Sequence, residues 1–321
     1  MPLAAMVQPT PYFDDDTVRR LLPLPELLDG LEQALIALSE GSAVQPLRTV
    51  TEIDPPSVPE AERNLLFLKP ARLGDVLVTK LITLAPANAA RGLPTLLATA
   101  VLMDAGTGQT RAVMDATWLT NLRTAGVSAV AARLLTPPDA GVVALLGSGA
   151  LARTHALALR AVRPIREIRV WGRTAANVRA CAEEIGGVAC DSAEQAVRGA
   201  DIVCTLTTSA LPVLRGEWLK PGALVNAVGA PRPTWRELDD QAMSNYLLAD
   251  SRHAAQTEAG DVLLSGAQVD AELGELLAGT RPLPGRRTVV FKALGQAVED
   301  AVAARLVYEA AQREGLVSGP A

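Results

Sequence analysis

The run Gly141-Val-Val-Ala-Leu-Leu-Gly147-Ser-Gly149-Ala-Leu-Ala152-Arg-Thr-His155 decides how this chain folds. Val142–Leu146 is a short apolar segment bounded by glycines, the pattern of a strand buried in a parallel sheet. Gly147, Gly149 and Ala152 then fall at G-x-G-x-x-A spacing, and a helical pattern runs from residue 152 to about 160. Gly147 permits the tight strand-to-helix turn, Gly149 lets the backbone approach a pyrophosphate, and Ala152 keeps the helix close to the sheet. N–H groups at the helix start face the anion, so Gly147, Ser148, Gly149, Ala150 and Leu151 are the expected cofactor-binding residues. The spacing alone is a weak signal. Here it follows a strand, opens a helix and heads a strand–helix alternation.

The second strand is expected at Glu167–Trp171, followed by Gly172-Arg173-Thr174. A carboxylate at this strand end would bind the ribose 2′-hydroxyl of NAD, and none stands there. The Arg173 guanidinium with the Thr174 hydroxyl makes a clamp for a 2′-phosphate, so NADPH is expected over NADH. The alternative is a surface arginine opening a helix, with Thr174 as its N-cap. Farther on, helices are expected at 174–185 and 192–197, and strands at 187–190, 201–206, 223–228 and Tyr246–Ala249. Such alternation argues a parallel, doubly wound α/β sheet of Rossmann type. Ligands sit outside the carboxyl ends of its strands, which adds Thr205, Thr207, Val228 and Gly229 to the crevice.

Composition narrows the function classes. The 321 residues suit two domains, and 49% apolar with 20% charged residues is a globular balance. A net charge of −5 argues against nucleic acid or an anionic membrane surface as main partner. No apolar run is long enough to span a membrane, and the first residues lack a signal pattern. Cys181, Cys190 and Cys204 form no C-x-x-C and read as small buried hydrophobes in a reducing cytoplasm. Only His155 and His253 are present and no metal motif occurs, so no metal site is expected. His155, in the first turns of the fingerprint helix, reads as structural or phosphate-adjacent.

Residues 1 to about 23 are Pro-rich, with Asp14-Asp15-Asp16 as a helix start. A helix at 24–38 is stopped by Gly41, and β segments follow at 46–53, 64–70 and Val76–Leu84, punctuated by Pro55-Pro56 and Gly74. Segments 96–103 and 110–114 flank a hairpin turn, giving a largely antiparallel sheet with one covering helix. A capping signal at Thr120 and apolar residues from 125 to 135 give a linking helix. The tail holds a strand at 288–291 and a long amphipathic helix from about 294 to 313. Three cations interrupt otherwise apolar segments: Arg48 within a strand, Lys80 between Val-Leu-Val-Thr and Leu-Ile-Thr-Leu, and Arg123 at an Ala-rich helix. Each alone fits a solvated face or a salt bridge.

Several runs together resemble the ornithine cyclodeaminase/μ-crystallin family over nearly the whole length. They are Leu119-Thr120-x-x-Arg123-Thr124-Ala125, the fingerprint, Glu258-Ala259-Gly260-Asp261 and Asn226-Ala227-Val228-Gly229-Ala230-Pro231-Arg232-Pro233 with Trp235-Arg236-Glu237-Leu238. The last, and Val290-Phe291-Lys292-Ala293-Leu294-Gly295 with Val298-Glu299-Asp300, are closest to the μ-crystallin branch. The resemblance implies a central Rossmann domain (122–296) and a mixed, largely antiparallel α+β substrate and dimerisation domain (1–121 and 297–321), hence a homodimer. It implies NADPH-dependent reduction of a small cyclic ketimine carboxylate, with Arg48, Lys80 and Arg123 at the positions that bind the substrate carboxylate. Glu258 matches a pocket-side acid, though helix-surface solvation explains it as well. The cyclodeaminase branch has an aspartate where this chain has Pro231, which can neither accept a proton nor hold an ammonium group. Arg123 would align the substrate for reaction, and Lys80, the protonated substrate or water would give the proton. Amino-acid dehydrogenation, and binding of NADPH with a hydrophobic carboxylate without turnover, are the competing readings.

Overall fold

In a computed structural model describing residues 10–55, 57–59 and 63–317, the chain divides into two compact units. One comprises Met1–Pro23, Ala43–Thr120 and Ala297–Ala321, the other Leu24–Ser42 and Asn121–Gln296. The Pro-rich opening up to residue 9, and Pro56, lie outside the described residues.

The first unit is built on a six-stranded sheet. Strand β1 (Tyr12–Phe13) pairs parallel with β6 (Thr110–Asp115). Strands β2 (Thr49–Glu52), β3 (Leu65–Leu73), β4 (Val76–Leu84) and β5 (Leu96–Asp104) complete the order β1-β6-β5-β4-β3-β2, in which every pair from β6 to β2 is antiparallel. The strand period sorts the side chains: Val76, Val78 and Lys80 are buried, as are Ala98, Ala100 and Leu102 opposite, while Leu77, Thr79 and Leu81 stay partly exposed. The last helix of the chain, α11 (Ala297–Arg313), packs on β3, β4 and β5, and alanines on both surfaces let it come close. Helix α1 (Asp15–Leu21) also packs on α11 and is capped by Asp14, which accepts from the Thr17 N–H at 2.9 Å.

Three local expectations need correction. Arg48 does not interrupt a strand, because β2 begins only at Thr49. Helix α3 (Thr117–Leu135) starts before Thr120, since the Asp115 and Asp15 carboxylates accept the Thr117 and Trp118 N–H groups at 2.7 and 2.8 Å. Helix α11 starts at Ala297 rather than near 294, because the Asp250 carboxylate takes the N–H groups of Leu294 and Gly295 at 2.6 and 2.9 Å.

The second unit is an eight-stranded, all-parallel sheet. Along the chain run β7 (Val142–Leu146), α4 (Ala150–Val162), β8 (Glu167–Trp171), α5 (Ala175–Ile185), β9 (Val188–Ala189), α6 (Ala193–Val197), β10 (Ile202–Thr205) and β11 (Leu224–Ala227). Then come α7 (Asp240–Met243), β12 (Tyr246–Ala249), α8 (Arg252–Glu258), α9 (Gly260–Ser265), β13 (Ala271–Glu272), α10 (Leu273–Leu277) and β14 (Val289–Lys292). The order is β13-β12-β14-β11-β10-β7-β8-β9, so winding reverses between β7 and β10. The crevice at that reversal is where a doubly wound sheet takes its ligand. No described helix is long and apolar enough to cross a membrane.

Helix α2 (Leu24–Ser39), expected to cover the antiparallel sheet, groups instead with this second unit. Its buried stripe of Leu27, Leu28, Leu31, Ala34 and Leu35 needs an apolar counterpart. It finds α10 and the Gly126 position of α3, where an added Cβ would lie 2.6 Å from Leu31. Gly274 touches the Leu35 carbonyl so closely that any side chain would collide with backbone. Gly274→Ala should therefore lower unfolding stability by about 3 kcal/mol in urea titration; an unchanged midpoint would show that α2 and α10 do not pack this tightly.

Candidate active site

The fingerprint turn is shaped by what its glycines exclude. Gly147 has φ +130° and donates its N–H to the Trp171 carbonyl at 2.7 Å. A Cβ there would meet the Leu206 carbonyl at 2.8 Å, so only glycine lets the turn sit between the ends of β8 and β10. At Gly149, by contrast, a Cβ would meet no protein atom within 4 Å. The residue is exposed, caps α4 without a side chain, and leaves space in front of Ala150 and Leu151 at the helix start. Arg153 donates to the Ser148 and Gly149 carbonyls at 3.1 Å each and to Glu184 at 2.5 Å, which pins the loop. Ala152 is buried against the sheet. An open cradle at a helix N-terminus fits a dinucleotide pyrophosphate.

Beyond β8, Arg173 and Thr174 are both exposed. Thr174 occupies the N-cap position of α5, as the alternative reading had it, but its side chain makes no capping hydrogen bond. At the ends of β10 and β11, Val228 and Thr205 are buried and Thr207 is half-buried. The Thr207 hydroxyl and N–H both donate to Glu237 Oε1, at 2.5 and 2.7 Å. Burial pushes the Glu237 carboxyl up, while the nearby Lys292 ammonium pulls it back.

The cations divide between the units. In the first, Lys80 is fully buried and bonded through Nζ to Asp300 Oδ1 of α11 at 2.7 Å and to the Thr120 hydroxyl at 3.1 Å. Thr120 is thus a partner of Lys80 rather than a helix cap. Lys69 on β3 stands directly opposite Lys80 in the ladder and is also buried, and Glu299 is buried beside Asp300 in the sequence of α11. Arg48 is half-buried just ahead of β2. In the second unit, Arg123 is buried, and its Cζ would lie 3.0 Å from a Cβ at Gly295. Glu258, the last residue of α8, is half-buried.

No local sequence pattern gives a role to Asp300, Lys69, Glu237, Asp261, Lys292 or Asp250, all buried. The available signal was the one that found Lys80: a charge inside an apolar strand, as in Val-Val-Phe-Lys292.

His155 is structural. It is fully buried, with Nδ1–H donating to the Leu151 carbonyl at 2.7 Å and Nε2 accepting from the Ser128 hydroxyl at 3.0 Å. Burial lowers it to about 4, so the folded protein keeps the neutral ring. An unfolded histidine takes its proton near the ordinary value of 6.5, so stability present above that pH is lost as pH falls toward 4. The loss amounts to about 3 kcal/mol. His155→Gln should flatten urea stability against pH across that window; an unchanged slope would assign the acid sensitivity to other groups.

The family model of the Ornithine cyclodeaminase/mu-crystallin family matches residues 14–315. The chain is 43% identical over 308 residues to a ketimine reductase mu-crystallin of Macropus fuliginosus, covering 92% of this chain and 95% of that protein. It is 34% identical to a Delta(1)-pyrroline-2-carboxylate/Delta(1)-piperideine-2-carboxylate reductase of Azospirillum brasilense, covering 96% and 99%. Among solved structures, the Delta(1)-pyrroline-2-carboxylate reductase of Thermococcus litoralis, in complex with NADH and L-proline, superposes with a TM-score of 0.87 at 30% identity, covering 95% and 98%.

Proposed function

The chain belongs to the ornithine cyclodeaminase/mu-crystallin family, and from that premise we propose that it is an oxidoreductase that reduces the C=N bond of a small cyclic ketimine carboxylate to the cyclic amino acid. The observation that carries this reading is the full-length likeness to ketimine and pyrroline-2-carboxylate reductases. A bound nicotinamide nucleotide would supply the hydride. Gly147, Ser148, Gly149, Ala150 and Leu151 would hold its pyrophosphate, and Arg173 with Thr174 its 2′-phosphate, which favours NADPH.

Arg48, Lys80 and Arg123 would hold the substrate carboxylate, so that the protein contributes mainly position and charge. The ion pair with Asp300 suits Lys80 to anchoring rather than proton donation. Giving up its proton would remove the cation that stands 2.7 Å from the buried Asp300 carboxylate. The imine nitrogen then arrives already protonated or takes its proton from water, and the iminium is the better electrophile. Glu258 would serve as a half-buried acid at the substrate's edge. Proline at position 231 leaves direct cyclodeamination without its acid group.

The uncovered face of the six-stranded sheet supports a homodimer. Leu77, Leu81, Val101 and Val113 are partly exposed on it, and Leu97 is 48% exposed. An apolar sheet face of this kind is best covered by a second copy. The three free, buried cysteines suit a reducing cytoplasm.

The test is nucleotide oxidation, followed by absorbance, with piperideine-2-carboxylate or pyrroline-2-carboxylate and either NADPH or NADH. Turnover without ammonia is expected, faster as pH falls toward the imine pKa, with a lower KM for NADPH. Arg173→Ala should narrow the preference for NADPH by about tenfold. Turnover only with a 2-oxo acid and ammonia would make the protein an amino-acid dehydrogenase. Nucleotide binding without turnover of any substrate would make it a binding protein.

A further inference from the structure

A cluster of buried charge in the second unit lies at the carboxyl ends of β10, β11 and β14. Glu237, Asp261 and Lys292 are all fully buried. Lys292 bonds Asp261 Oδ2 at 2.9 Å and donates to the Gly229 carbonyl. Asp261 Oδ1 accepts the N–H groups of Glu237 and Leu238 at 2.7 and 3.0 Å. Glu237 in turn holds Thr207 by N–H and hydroxyl, and its other oxygen lies against Gly229 so closely that a Cβ there could not fit. Replacing such a network by apolar residues often leaves stability unchanged or higher, so stability alone does not explain it.

All of these bonds converge on two strand-end segments. One is at Thr207. The other is the turn at 228–231, whose Val228 and Gly229 N–H groups both donate to the Thr205 carbonyl at 3.1 Å. The next residue, Ala230, is fully buried and has φ +54°, alone among the described non-glycine residues in being left-handed. Proline follows it. A left-handed alanine persists only where its surroundings over-determine it, and such residues cluster at functional sites. Topology says which site. The fingerprint follows β7 and the ribose-binding position follows β8, so the other half of a dinucleotide falls to the ends of β10 and β11.

We propose that Glu237, braced by Asp261 and Lys292, is a positioning residue that clamps the turn at 228–231 in its left-handed shape and so sets the bed of the nicotinamide ring. The proposal rests on the reductase reading for its kinetic effect. The wild-type chain is compared with Glu237→Ala, Glu237→Gln and the double variant Glu237→Ala/Ala230→Gly. Measured are kcat and KM for piperideine-2-carboxylate, NADPH Kd, and the fluorescence anisotropy of bound NADPH in the absence of imine.

Glu237→Ala should lower kcat on the order of a hundredfold and lower the anisotropy, since a small misplacement of reacting groups costs that much. KM for the imine and NADPH Kd should stay within about threefold, because the pyrophosphate cradle is untouched. Gln keeps one oxygen to accept from Thr207 and should retain most of the rate. Glycine at 230 tolerates the left-handed shape without the clamp, so the double variant should regain roughly tenfold over Glu237→Ala. If Glu237→Ala yields no folded protein, Glu237→Asp, which withdraws the carboxylate by one methylene, takes its place with the same expected loss.

A folded Glu237→Ala (or Asp) protein with wild-type kcat and anisotropy would overturn the proposal. So would a double variant no better than the single one. If the wild type turns over no cyclic imine, the reductase reading fails, and the anisotropy comparison still decides the clamp.

Discussion

The second unit depends on how closely two strand ends approach at the winding reversal. β7 and β10 are neighbours in register, Leu146 opposite Thr205, yet the chain leaves them toward different nucleotide-binding halves. Gly147 turns away with φ +130° and only a hydrogen atom facing the Leu206 carbonyl. That missing side chain sends α4 back with its N-terminus toward the crevice, which keeps Gly149 exposed and its surroundings open. One steric constraint thus connects the sheet order, the direction of a helix dipole and the room for an anion.

The fold was legible where local chemistry and tertiary demand agree. Val142–Leu146, Glu167–Trp171, Val76–Leu84 and Tyr246–Ala249 appear as read, because their apolar runs are bounded by turn residues. It was not legible where a distant carboxylate decides a boundary. Asp15 helps to fix the start of α3 across a sequence gap of 103 residues, and Asp250 fixes the extended approach to α11 across 44 and 45. Helix α2 has the amphipathic pattern of a covering helix, but the pattern does not say what it covers. That was settled by Gly274, whose missing side chain lets α10 approach the Leu35 carbonyl.

The sequence marked the three cations as out of place in apolar segments, but not what holds them. Lys80 stood out as a charge in an apolar strand, and Asp300, its partner, is 220 residues away in sequence. Periodicity within one segment cannot pair two such residues, whereas packing α11 on β4 does. Glu237, Asp261 and Lys292 lay inside the very runs that carried the family resemblance, but nothing local ties them into one network. Arg173 and Thr174 show the opposite case. Their sequence position suggests a phosphate clamp, and the missing capping bond at Thr174 leaves its hydroxyl uncommitted to the helix.

Every residue role proposed for the site serves the transfer of a hydride to the ring carbon of a cyclic imine carboxylate. Its most direct test is single turnover with nucleotide deuterated at the transferable position of the nicotinamide, followed by mass spectrometry of the product. Expected are one deuterium at the α-carbon of the cyclic amino acid, one oxidised nucleotide per product, and no requirement for ammonia. Product without deuterium at that carbon, or product formed only when ammonia is supplied, would contradict it.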